Sequence, residues 1–121
     1  MLLIGGTIPR ADISLITGEA QFDGQKLMIS GGEISCTQGT AALVSAACAT
    51  STYWKIAPPQ VVLAGDTGAG SGSRLLYDYL INNLPRLSPS VLVLHYILPV
   101  MGLMKKIVAA SEKCAKKPVL I

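Results

Sequence analysis

Residues 61–74, Val61-Val62-Leu63-Ala64-Gly65-Asp66-Thr67-Gly68-Ala69-Gly70-Ser71-Gly72-Ser73-Arg74, pass from a continuous apolar run through a glycine-rich turn into a segment of helical spacing. An apolar run without polar alternation suits a strand buried on both faces, as in parallel sheets sandwiched by helices. Glycines let a backbone approach an anion closely, and the free N–H groups and positive dipole end of the next helix attract it. Phosphate is the natural guest. Ser71 and Ser73 add hydroxyl donors and Arg74 a planar cationic fork. Gly65, Thr67, Gly68, Gly70, Ser71, Gly72, Ser73 and Arg74 are therefore the candidate phosphate- or nucleotide-binding residues.

The flanking sequence repeats the same alternation. Val91-Leu92-Val93-Leu94 and Val119-Leu120-Ile121 read as further buried strands, and Lys26-Leu27-Met28-Ile29 as another upstream. Ser73 to Leu84 places Leu76, Tyr79, Leu80 and Asn83 on one helical face, with Pro85 and Pro89 ending it; Val100 to Lys116 is a second amphipathic segment with lysines toward its C-terminal half. An alanine-rich helix is expected from about Gln38 to Tyr53. Strand and helix alternating in this way predict right-handed crossovers and a three-layer α/β fold, a mostly parallel sheet with helices on both faces. Residues 1–25 read as an irregular or hairpin lead-in, with Leu2 to Ile4 and Ile13 to Thr17 as a small hairpin or an edge feature and Gln21 to Gln25, holding Asp23-Gly24, as a turn.

At 121 residues, with 50% hydrophobic and only 14% charged residues, the chain has the size and composition of one apolar domain rather than a disordered segment. Residues 91–104 hold His95, Pro99 and Gly102 and are too short for a spanning helix, so no membrane partner is expected. Met1-Leu2-Leu3-Ile4 lacks the basic start of a secretory signal. Cys36, Cys48 and Cys114 are odd in number and form no CxxC pair, which suits reduced thiols and a cytoplasmic location. The net charge of +3 is concentrated at Lys105, Lys106, Lys113, Lys116 and Lys117 without interleaved aromatics, so it reads as a solvated face and not a nucleic-acid site.

Three further positions carry candidate chemistry at strand ends. Asp66 is placed to act in catalysis or to hold a metal beside bound phosphate. His95, the single histidine, is the candidate acid, base or ligand contact. Gly32, Glu33 and Thr37 follow the upstream strand as candidate substrate-binding residues, and convergence of Glu33, Asp66 and His95 would make one crevice. The Walker A pattern is absent, since no lysine follows the glycines, and Gly68, Gly70 and Ser73 only approximate GxGxxG with no acidic residue after the next strand.

Ser30-Gly31-Gly32, Gly39-Thr40-Ala41-Ala42, Val62 to Gly70 and Lys117-Pro118-Val119-Leu120-Ile121 together resemble the ribokinase-like fold, in particular the carbohydrate-kinase-related family of ADP- or ATP-dependent NAD(P)H-hydrate dehydratases. The resemblance covers about residues 29–121. It implies a ribokinase-like form of this three-layer fold, with a Rossmann-like one as the alternative, and a kinase or nucleotide-dependent dehydratase that uses ATP or ADP with Mg²⁺. The family's turn carries Gly-Pro-Gly-Leu-Gly where this chain has Gly65 to Gly70. In that family the last segment leads into an aspartate-bearing loop, so the chain is expected to be the N-terminal part of a larger domain that continues past Ile121. Alternatives are a non-catalytic binding or assembly module, associating with a second copy or with the missing remainder, and a metal-dependent phosphate-handling enzyme using Asp66, Glu33 and His95.

Overall fold

A computed structural model describes all 121 residues and shows an α/β chain with a mixed sheet of seven strands and three helices. Along the chain these are β1 (Leu2–Ile8), β2 (Leu15–Phe22), β3 (Leu27–Ile29), β4 (Gly32–Ile34), α1 (Gly39–Trp54), β5 (Gln60–Gly65), α2 (Ser71–Leu87), β6 (Val91–His95), α3 (Met101–Glu112) and β7 (Val119–Leu120). The strands lie in the order β4-β3-β2-β5-β1-β6-β7. β1 pairs in parallel with β5 and β6, and β6 with β7, whereas β2, β3 and β4 form an antiparallel meander docked on β5. Half of the pairings are thus antiparallel, and the sheet is mixed rather than mostly parallel.

Alternating strand side chains build two cores. Ile4, Val61 and Leu63 pack with Ala41, Val44 and Cys48 of α1, while Leu3, Val62 and Leu92 pack with Leu76, Leu80 and Leu84 of α2 and Ile107 of α3. Fully burying one such aliphatic side chain is worth about 1.5–3 kcal/mol. α1 therefore covers one face of β1 and β5, and α2 and α3 the other.

The first 25 residues are not a lead-in. β1 is an interior strand between β5 and β6, buried at every position from Leu3 to Ile8, and β2 joins the meander to β5. The glycines that look like a break are points of close approach. A Cβ on Gly6 would collide with the Thr40 side chain and the His95 carbonyl, and one on Gly5 would come within 3.3 Å of Leu80 Cδ1. Small residues in β1 let α1 and α2 sit down on it from opposite sides.

Helix ends also differ from the pattern. Pro85 lies inside α2, which runs on to Leu87 and stops at Ser88, whose left-handed backbone (φ 42°) lets its N–H bond the Leu84 carbonyl. In the last turn a proline removes only one backbone bond, too little to end a packed helix. α3 ends at Glu112, so Lys113, Lys116 and Lys117 follow the helix, and its last turn holds no basic residue.

Numbered along the chain, the four parallel strands lie in the order second, first, third, fourth. The chain leaves β1 toward β5 on one side and leaves β6 toward β7 on the other, so its connections diverge between β1 and β6. In open α/β sheets the crevice outside the carboxyl ends at such a point is where ligands bind.

Candidate functional site

A crevice does open there. Two adjoining hollows, about 270 and 370 Å³, share Thr7 near the carboxyl end of β1, Asp66 and Gly68 after β5, and Tyr96 after β6. The hollow on the α2 side adds Gly70, Ser73 and the segment Ile97 to Pro99; the one on the α1 side adds Pro9, Gln38, Gly39 and Thr67. Both lie near the lower end of the size range for small-molecule sites.

The glycine-rich turn forms one wall, and its amides are already engaged. Asp66 Oδ1 accepts hydrogen bonds from the N–H groups of Gly68 (2.8 Å) and Gly70 (3.0 Å), and Oδ2 accepts from the Ser73 N–H (3.0 Å) and hydroxyl (3.3 Å). The Asp66 carboxylate thus serves as the internal anion of this turn and caps α2, whose N-cap residue Gly70 has no side chain to do so. Desolvation is the largest single influence on its carboxyl and pushes it upward. The amide donors of Ser73, Gly68 and Gly70 with the Ser73 hydroxyl outweigh it together and hold the group below the ordinary carboxylate value.

Gly72 makes this geometry possible: a Cβ there would strike the Gly65 carbonyl and lie 2.8 Å from Asp66 Cβ, so only glycine lets α2 start directly over the end of β5. Gly65 is equally enclosed, by the Arg10 and Ile13 carbonyls. Ser71 and Arg74 are exposed and, like Gly65 and Gly72, do not line the crevice. Of the residues expected to meet phosphate, Thr67, Gly68, Gly70 and Ser73 do line it.

The substrate and metal candidates are scattered. Glu33 and Thr37 line a separate hollow with Arg10, Gln25 and Cys36, Gly32 lies exposed in β4, and Glu33 pairs with Lys26 at 3.8 Å. Asp66, Glu33 and His95 therefore do not converge, and no group of three or more histidine, cysteine or acidic side chains is placed to hold a metal ion. With four hydrogen bonds on its carboxylate and no acidic neighbour, Asp66 does not fit the role of a protein ligand for Mg²⁺. The physical reason is that a short acidic side chain after a strand turns back onto its own loop when that loop offers free amides. His95 instead faces α1, its Nδ1 3.1 Å from Thr40 Oγ1.

Several site residues carry no signal in the sequence. Thr7 donates its hydroxyl proton to the Tyr96 carbonyl, tying β1 to the loop after β6. Ser73 Oγ accepts from the Leu98 N–H (2.9 Å), and the Tyr77 hydroxyl donates to the Leu98 carbonyl (3.0 Å) while accepting from the Val100 N–H (3.3 Å). These bonds hold Tyr96 to Pro99 as a shaped wall. Tyr96 itself is exposed with a left-handed backbone (φ 49°), a conformation that costs a non-glycine residue energy and recurs at ligand-contacting positions.

The two helix ends at the crevice differ electrically. α2 is capped by Asp66, whereas α1 has neither a capping side-chain bond nor an acidic residue in its first turn. Its unneutralised N–H groups and dipole favour negative charge on the Gln38–Gly39 side. Compared with known proteins, the chain matches no family model, no curated protein and no solved structure. No helix is long and apolar enough to cross a membrane.

Proposed function

We propose that the crevice binds a phosphate-bearing small molecule or nucleotide, with ATP or ADP as the nucleotide class, in a three-layer ribokinase-like domain of a kinase or nucleotide-dependent dehydratase. The observation that carries this reading is the pair of adjoining hollows at the carboxyl ends of β1, β5 and β6, bordered by two helix N-termini of which one is uncompensated. Phosphate is then received at the start of α1, and the glycine-rich turn acts as the opposite, pre-shaped wall. Asp66 keeps that wall rigid instead of contacting a metal. Titrating the ¹⁵N-labelled chain with ATP, ADP and inorganic phosphate tests it: shifts centred on Gly39, Thr40, Gly68 and Tyr96 are expected, and unchanged amides there at millimolar ligand reject the proposal.

A second reading rests on exposed apolar surface. Tyr53, Trp54 and Ile56 at the far end of α1 are 80%, 67% and 62% exposed, and Val119 and Ile121 at the β7 edge 60% and 70%. Surfaces of this kind favour association, so a non-catalytic assembly module or a homo-oligomer is the alternative. Sedimentation that returns a monomer at all concentrations removes it.

A further inference from the structure

Thr40, fully buried at the start of α1, meets His95, half-buried at the end of β6. Its Oγ1 lies 2.8 Å from the Thr7 carbonyl oxygen, 3.2 Å from the His95 carbonyl oxygen and 3.1 Å from His95 Nδ1. A hydroxyl has one proton to give, and a carbonyl can only accept. The Thr7 carbonyl is the nearest acceptor and takes that proton, which leaves an Oγ1 lone pair facing Nδ1. Nδ1 must then carry hydrogen, and in the neutral ring Nε2 is left bare. No buried side-chain nitrogen or oxygen lacks a hydrogen-bond partner, so Nε2, which has none in the protein, reaches solvent. His95 itself lines neither hollow, but its neighbours border the α1-side one: Tyr96 follows it with ring centroids 4.2 Å apart, and Gly39 immediately precedes Thr40.

We infer that Thr40 is a positioning residue that holds His95 in the Nδ1–H form, leaving Nε2 as a fixed acceptor for a hydroxyl group of the ligand in the crevice. Gly6 is part of the device, because a Cβ there would strike both the Thr40 side chain and the His95 carbonyl. The ligand's nature as a hydroxylated, phosphate-bearing molecule rests on the function proposed above, whereas the tautomer rests on the geometry alone.

His95 is the single histidine of the chain, so long-range ¹H–¹⁵N correlation spectra of the whole protein at neutral pH read its ring without ambiguity. The expected pattern is a protonated Nδ1 and an unprotonated Nε2; a protonated Nε2, or averaging between the two forms, overturns the assignment. Thr40→Val should return the ring toward the Nε2–H form that dominates in free histidine, while Thr40→Ser should keep Nδ1–H. A serine variant that loses the lock argues against it, even if the valine variant fails to fold. Adding ADP or ribose 5-phosphate should move the Nε2 resonance and inorganic phosphate should not. An Nε2 that ignores both hydroxylated probes overturns the ligand contact. If Gly39 and Gly68 still respond, the proposed crevice survives that result; if they do not, it falls as well.

Discussion

Replacing Asp66 separates a loop clamp from a catalytic or metal-binding carboxylate. Its two oxygens accept three amide N–H groups and one hydroxyl at 2.8–3.3 Å. Hydrogen bonds to a charged group contribute about 1.5–3 kcal/mol each when dry, and this half-exposed turn lets water recover part of that, so Asp66→Ala should cost about 3 kcal/mol. Asp66→Asn keeps an oxygen for Gly68 and Gly70 but turns an NH₂ toward the Ser73 N–H and hydroxyl, and loses the charge at the start of α2, for a cost of about 2 kcal/mol. With a urea slope of about 2 kcal/mol per molar, the alanine variant should unfold at a midpoint about 1.5 M lower. Amide exchange should quicken first at Gly68, Gly70 and Ser73. An Asp66→Ala protein with an unchanged midpoint and unchanged protection at those amides would refute the clamp and return Asp66 to the list of free carboxylates.

Acid should reproduce the same loss: because the folded value of Asp66 is depressed, its stabilisation is complete above the ordinary carboxylate value of about 3.9 and disappears as pH falls through the lower folded value. Amide spectra recorded downward from pH 5 check this, and a Gly68–Ser73 loop that loosens above pH 5 contradicts it. Gly6→Ala should destabilise by about 2–3 kcal/mol in chemical denaturation through forced displacement of Thr40 and β6; a neutral result would mean that β1 and α1 are not in close contact. Ser73→Ala removes the acceptor of the Leu98 N–H and one donor to Asp66, so it should cost about 1–2 kcal/mol and speed exchange at Leu98. Thr7→Val keeps the shape but loses the bond to the Tyr96 carbonyl, and proteolysis between Tyr96 and Pro99 should rise while the global melt falls little.

The helices and the strands β5 and β6 were legible in the sequence because each rests on a long apolar period or run, and their observed bounds fall within a few residues of the expected ones. β1 was not, since Gly5 and Gly6 carry the same letters whether they break a strand or admit two helices to it. β2 was not either: Gly18 and Glu19 interrupt its pattern, and only tertiary pairing with β5 and β3 reveals it. The turn from Gly65 to Ser73 was found as the place where donors gather, but the anion they serve is the chain's own Asp66. Residue type does not report whether a carboxylate points outward or folds back onto its loop. Thr7 and the left-handed Tyr96 belong to the crevice only because β1 lies beside β6.

That adjacency has a consequence for how the chain acquires its fold. The Met1 amine bonds Ser90 Oγ, 89 positions later, and Leu3 registers with Leu92. At about 5–20 residues per second of synthesis, β1 waits roughly 3–11 s for β5 and then, flanked on one side only, roughly 2–6 s more until β6 has been made. A sheet completed through such distant partners forms slowly, because the entropy of closing a long loop is lost before any pairing compensates it. The glycines of β1 lower its appetite for premature pairing during that interval, so the residues that admit the helices in the finished molecule also keep the nascent strand from sticking to the wrong edge.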